Sequence, residues 1–599
     1  MFEEKLSSLP QILHPVCPMP SHAHLEHLPE KERELTLTRA ARAEQTPLSR
    51  ILASDWLAFS RTGDRAHFEG LYFPRRRRLT DLVCGFLLKE DSRWLEEAVN
   101  TIWALCEESA WQLPAHNSYV RDAPQAPWPD VSRPVVDLFA AETGALLSCA
   151  AAVLADHLPQ PVRDRILLEV NRRILTPYLT EHFWWMGNGD EEMNNWTPWC
   201  TQNVLLCAFT LPFDETVRRR VIGQACRSLD CFLKDYGEDG CCSEGAQYYG
   251  HAALCLFSCL RIVELAAPGV FDSVWKEKKI ANMASYIYHM HVDGIYYFNF
   301  ADCSPVAGRR GARDYLFAVR TGNGEMASFA ARDWLESLSD PQEDGDVMRI
   351  SLWEQLLELD HAGEMAQYAE RAGKNPPAAG ALYPSNGVYT ARRGVWQLAV
   401  KGGNNADSHN HNDVGSVILY RDGKPFLIDL GVETYCRKTF SPQRYEIWTM
   451  QSSYHNLPDF DGVMQCDGAA FRAREVQVSQ PDGGFCVSME LSAAWPEQAG
   501  LESFRRVVTL LPEGLRLEDE CRGSYRRADM HLLLQEKPEI LGGGRIAAGA
   551  LGEILCEGLT EAPRVEILSI QDARLRLAWP NTLYRLVLPF FDRLSIRIL

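Results

Sequence analysis

Helical spacing dominates the first part of the chain. Over 162–179, Ile166, Val170, Ile174 and Tyr178 recur every four residues with arginine and glutamate between them, which predicts an amphipathic helix. Residues 215–234 (ETVRRRVIGQACRSLDCFLK) repeat the pattern. Residues 251–266 (HAALCLFSCLRIVELA) are apolar nearly all round, as expected of an inner helix covered on several sides. Two connecting stretches, PAHNSYVRDAPQAPWPD (114–130) and WWMGNGDEEMNNWTPWC (184–200), are too long and too rich in polar and aromatic residues to be plain connectors. They are candidate functional loops.

The texture changes at KNPPAAG (374–380), a cluster of helix breakers that reads as an inter-domain linker. Beyond it, VYTARRGVWQLAVKGG (388–403) and SVILYRDGKPFLIDLG (416–431) read as strands, the second turning at Asp422-Gly423. FRRVVTLLPEGLRLEDE (504–520) reads as a further hairpin around Pro512-Glu513-Gly514. Helices first and strands afterwards predict a helical domain over 1–375 followed by an antiparallel β-sandwich over 381–599, not an alternating α/β fold. The 599 residues are in any case too many for one ordinary core.

A hydrophobic content of 46% and a charged content of 24% are those of a soluble globular chain. The formal net charge of -19 opposes a general nucleic-acid or membrane-surface binder, yet a local arginine cluster can still hold an anion. The start, MFEEKLSSLPQILHPVCPMP, lacks the apolar run of a secretory signal, and the 18 cysteines are scattered without a CxxC pair. No later run is expected to span a membrane. The expectation is a cytoplasmic protein with reduced thiols, with homo-oligomerisation left open.

The densest chemistry lies in DSHNHND (407–413), followed by Asp429 at the end of an apolar stretch and His455 in SSYHNLP. A His-x-His on a strand would put both imidazoles on one face, and two histidines with a carboxylate are a zinc donor set. Asn194 and Asn195, before Trp196, carry amides that can donate to a carboxylate without bringing a charge. In DGCCSEGAQYYGHA (239–252), two glycines permit a tight loop before Tyr248 and Tyr249, and a tyrosine can serve as general acid or base. Among the basic runs, Arg75–Arg78 read as solvated or ion-paired. Arg309, Arg310 and Arg313, after the loop FNFADCSPVAG, are the candidates for anion contact.

Taken together, these residues resemble the heparinase II/III family of polysaccharide lyases. The resemblance is densest from HNHNDVGSVILYRDGKPFLIDLGVETY (409–435) through FSPQRYEIWTMQSSYHNLP (440–458) and reaches from about residue 110 to 460. It implies an incomplete (α/α) toroid followed by an antiparallel β-sandwich, and β-elimination across the C4–O4 bond of a uronate in an acidic oligosaccharide or polysaccharide. Carried over by position, Asn195 would help neutralise the uronate carboxylate and Tyr249 would deliver a proton to the leaving oxygen. His409 would be the base or assist it, with Asn194, Glu244 and Tyr248 beside the substrate. His411, Asp429 and His455 would hold a zinc that shapes the site. The helical domain would then supply Asn195 and Tyr249, and the β domain His409. Trp196 stands where some members carry histidine, and Gly250-His251 leave open whether Tyr248 or Tyr249 faces the substrate. Two other readings stay in view: a glycoside hydrolase using Glu191, Glu192 or Glu244, and a glycan-binding protein without catalysis.

Overall fold

The computed structural model describes residues 1–121, 123–339, 347–373, 378–481 and 483–599. The chain forms two compact units. The first comprises Met1–Tyr236, Gly250–Ala284 and Arg309–Asn375, and the second comprises Gly237–Tyr249, Ser285–Gly308 and Pro376–Leu599. Two segments embedded in the helical part of the sequence therefore belong to the β unit. Residues 374–377 of the expected linker, and residue 122 of the first candidate loop, lie outside the described residues.

The first unit is built of helices packed against one another, some of them sequence neighbours and some not. Leu138–Val153 lies against Trp196–Thr210, which in turn lies against Glu215–Asp235. Asp214 caps the last of these by accepting a hydrogen bond from Val217 N at 2.9 Å. Close approach is set by small residues: a Cβ on Gly85 would sit 2.2 Å from Ala40 Cβ, and one on Gly144 would sit 2.8 Å from Ile174 Cγ1. Ile166, Val170, Ile174 and Tyr178 are all buried, as their spacing predicts. A four-residue step overshoots a 3.6-residue turn by roughly 40°, and the helix widens to a π turn over Asn171–Leu175, which keeps the four on one face.

Arg75, Arg76 and Arg78 prove to be buried ion pairs, not a solvated run. Arg75 and Arg76 share Glu108 at 2.8 and 2.6 Å, and Arg78 pairs with Glu97. The helix ending at Ala266 is long and apolar enough to cross a membrane by length and composition alone, contrary to expectation. With 72% of its apolar window buried inside the protein, it is the inner helix that its all-round apolarity predicts.

The second unit carries two large antiparallel sheets. One runs in the order Arg474–Ser479, Phe485–Glu490, Leu501–Leu511, Gly514–Gly523, Arg593–Ile598, Glu553–Glu557, Arg545–Ala548 and Pro538–Gly542. The other includes Val388–Arg393, Trp396–Lys401, Val417–Arg421, Lys424–Leu427, Ala528–Leu534 and Thr582–Phe590. Inward residues of both sheets, among them Trp396, Leu419 and Leu532 from one and Val487, Phe504 and Leu517 from the other, form a single apolar core. The hairpin at Asp422-Gly423 turns with both residues at positive φ, 48° and 73°, which matches the twist of the flanking strands. A helical part followed by an antiparallel sandwich is thus observed.

Candidate active site and metal centre

The segment 407–413 is a turn rather than a strand, which corrects the expectation that the pleat aligns its two histidines. Its start is pinned by the buried Lys401 ammonium, 2.9 Å from Asp407. Its far end is held by Asn412 N donating to Met450 O at 3.0 Å. His409 itself adopts φ 58°, a left-handed conformation that a side chain with a Cβ rarely takes.

What brings the histidines together is Asp302, a fully buried carboxylate in the second unit. Its Oδ2 accepts from His409 Nδ1 at 2.9 Å and from Tyr435 OH at 3.2 Å. Its Oδ1 accepts from His411 Nε2 at 3.1 Å and from Arg444 at 2.6 Å. Burial alone would raise this carboxyl, but the hydrogen bonds from both histidines and the Arg444 charge outweigh it and hold the group well below the usual carboxylate range. Burial likewise opposes a charge on His409, yet the bond to Asp302 and the charges of Glu244 and Asp302 lift its imidazole above the ordinary histidine value. Glu244 Oε2 lies 3.4 Å from His409 Nε2.

Aromatic groups surround His409. The Tyr248 ring stacks on it with centroids 5.3 Å apart, and the exposed Phe440 ring meets it edge-on at 5.9 Å. The Tyr248 hydroxyl is hydrogen-bonded to that of Tyr435, over whose ring the Arg574 guanidinium sits at 4.5 Å. Burial raises the Tyr248 phenol despite Arg574, so it keeps its proton at neutral pH. Tyr249 is fully buried, with its ring against Tyr286. Of the two tyrosines between which the sequence left the choice open, Tyr248 is therefore the one beside His409, and Tyr249 does not stack on it.

A second cluster adjoins the first. One ligand atom from each of His411, Asp429 and His455 lies within 4.8 Å of the others, and all three residues are buried. His455 Nδ1 is 2.8 Å from Asp429 Oδ2, while Asn299 and Gly431 donate to Asp429 Oδ1. His411 Nδ1 is a buried nitrogen with no protein partner among the described residues. Two imidazoles beside a carboxylate fit a divalent cation, and the bond from His411 to Asp302 would hold the His411 ring in the orientation to bind one.

Asn194 and Asn195 open the helix Trp196–Thr210 in the first unit, where Asn194 Oδ1 accepts from Trp196 N at 3.1 Å. The expected anion contact at the three arginines is also corrected. Arg309 pairs with Asp333 at 2.8 Å, Arg310 with Asp314 at 3.2 Å and Arg313 with Glu354 at 2.7 Å, all inside the first unit. The sequence marks Arg444 only as part of a basic run with Arg437 and Lys438, and it does not single out Asp302, Tyr435 or Arg574. Arg444 and Tyr435 lie within the stretches that carry the family resemblance, and Asp302 lies in the loop before Arg309, but nothing in QDARLRL marks Arg574.

Fold and site define a chain built like the polysaccharide lyases that join a helical toroid to a β-sandwich. Residues 375–574 match the family described as Heparinase II/III-like, C-terminal. Heparinase III, at 14% identity, superposes with a TM-score of 0.57 over 88% of this chain and 76% of its own. The heparan sulfate lyase HepC from Pedobacter heparinus is also 14% identical, with a TM-score of 0.55 over 94% and 83%. The chondroitin AC lyase of Streptomyces coelicolor A3 is 9% identical, with a TM-score of 0.52 over 100% and 82%. At these identities the likeness establishes the fold. No curated protein sequence matches the chain.

Proposed function

We propose that the protein is a lyase that cleaves uronate-containing polysaccharide or oligosaccharide by β-elimination, leaving a 4,5-unsaturated uronate. The observation that carries this reading is the Tyr248 phenol stacked on the His409 imidazole, with Arg444 and Arg574 joined to the same carboxylate-centred network. Elimination needs a base at C5, an acid at O4 and cations or donors that stabilise the enolate-like charge on the uronate carboxylate. His409 commits Nδ1 to Asp302, so Nε2 is the atom that takes the C5 proton. The C5 electron pair forms the C4–C5 double bond, the C4–O4 bond breaks, and Tyr248 delivers its proton to O4. Its hydroxyl contact with Tyr435, which in turn donates to Asp302, provides a route for reprotonation.

Zinc is the cation we assign to His411, Asp429 and His455, since two imidazoles and a carboxylate suit it. Bound there, it would fix the segments that carry His409 and His455 and so shape the site.

The experiment is incubation with heparan, chondroitin, hyaluronan and alginate oligosaccharides in 18O-labelled water. A rise in the ultraviolet absorbance of an unsaturated uronate, without label in the products, supports elimination. Labelled products without that absorbance would establish a glycoside hydrolase instead.

A further inference from the structure

We infer that Asp302 is a shared positioning residue that fixes the tautomers of His409 and His411 at once, and thereby couples cation binding to the alignment of the base. The inference rests on the lyase reading only for its kinetic readout. An ionised carboxylate accepts and cannot donate. The ring nitrogens that face it, His409 Nδ1 and His411 Nε2, must therefore both carry hydrogen. His409 is left with Nε2 as the atom open to proton transfer, and His411 with Nδ1, buried and without a protein partner, as the atom open to a cation. One side chain thus dictates opposite tautomers on two histidines separated by a single residue.

The backbone is built for this double contact. Ala301 and His409 both lie in the left-handed region, at φ 60° and 58°, and neither is glycine. Asp302 N donates to His409 O at 3.0 Å, so Asp302, which follows the strained Ala301, is tied to the strained His409 by backbone as well as side chain. Residues held at such φ values persist only where their surroundings over-determine them, and they gather at working sites. Arg444 closes the arrangement by donating both to Asp302 Oδ1 at 2.6 Å and to His409 O at 3.0 Å. Asp302 is fully buried, so no water can replace either oxygen as acceptor without rearrangement.

The test is Asp302→Ala, which removes both acceptors at once, so that neither His409 nor His411 is held in its tautomer. Zinc affinity, read by chelator competition, is expected to fall 10- to 100-fold, and kcat to fall with KM little changed. A folded variant that binds zinc as tightly as the parent overturns the inference, whatever its activity. If the variant does not fold, the unmodified protein decides. Adding zinc to the metal-stripped chain should change the rate of His409 carbethoxylation, read by peptide mass, at least threefold, because a cation on His411 Nδ1 strengthens its Nε2–H donation to Asp302. An unchanged rate would refute the coupling, and neither readout requires that the substrate be known.

Discussion

Arg506 offers the most direct test of how the sandwich supports the site. Its guanidinium is fully buried and grips Asp519 on the neighbouring strand through two bonds, 2.8 and 2.7 Å long. Its remaining nitrogen donates to Gly415 O at 2.7 Å and to Asn456 O at 2.9 Å. Gly415 closes the turn that carries His409 and His411, and Asn456 follows His455, so one side chain bolts both histidine segments to the sheet. In Arg506→Met the Asp519 carboxylate and two carbonyls are stranded in the core. Removing one partner of a buried pair costs about 3–5 kcal/mol, a large share of the roughly 5–15 kcal/mol that stabilises a domain. Replacing Asp519 as well, in Arg506→Met/Asp519→Leu, removes the uncompensated charge and should recover most of the loss. The carbonyls of Gly415 and Asn456 stay without their donor, which leaves a deficit of about 1–3 kcal/mol. Urea unfolding followed by tryptophan fluorescence would rank parent, double variant and single variant in that order. A single variant within about 1 kcal/mol of the parent, or a double variant no better than the single, would refute the reasoning.

Three further outcomes are expected. Glu358 is raised to about 8, by burial first and by the neighbouring Glu32 next, so the fold favours its neutral form. Stability from this group is complete below its ordinary 4.5 and is lost as pH rises towards 8. The ceiling on that loss is roughly 5 kcal/mol, and partial solvent contact lowers it. Glu358→Gln should therefore raise the melting temperature above about pH 8 and leave it unchanged near pH 4; equal effects at both would contradict the assignment. Phe440 is 56% exposed yet abuts His409, so Phe440→Ala should alter stability by less than about 0.5 kcal/mol while raising KM severalfold. An unchanged KM would mean that this ring does not meet the sugar. Ala301 at φ 60° should accept glycine with a gain of up to about 1 kcal/mol and with activity retained, whereas Ala301→Val should lose both stability and turnover. Tolerance of valine would show that the left-handed backbone does not aim Asp302.

Much of the architecture was legible because it obeys simple periods. The four-residue step of Ile166 to Tyr178 and the Asp422-Gly423 turn each follow from local rules, and the helix-then-strand order follows from their sum. The cation cluster was legible for a similar reason. Imidazole and carboxylate are few in kind, and His411, Asp429 and His455 stand in order within a stretch that matches a known pattern. The arginines misled because a charge in sequence carries no sign of its partner: Arg309, Arg310 and Arg313 each have a carboxylate inside the first unit. The tyrosine pair was undecidable from spacing, since neighbouring residues at a helix start point in different directions, and only the packing shows which one meets His409.

Asp302 escaped for a deeper reason. Its role depends on contacts 107 and 109 residues away along the chain, made from a position between Ala301 and Cys303 whose composition suggests an ordinary loop. Local propensity argues against the observed backbone most strongly at Ala301, because alanine is a poor choice for φ 60°, while histidine tolerates the φ 58° of residue 409 better than most side chains. Such a conflict between local preference and final conformation is itself informative. If the loop served only to connect, glycine at 301 would relieve the strain at no cost to chain connectivity. The strain falls at the two positions that must present Asp302 and His409 to each other, and the same carboxylate reaches His411 of the cation cluster. On the proposed reading proton transfer and cation binding meet at one buried residue, and a change at Asp302 should disturb both where changes at Tyr248 or His455 disturb chiefly one.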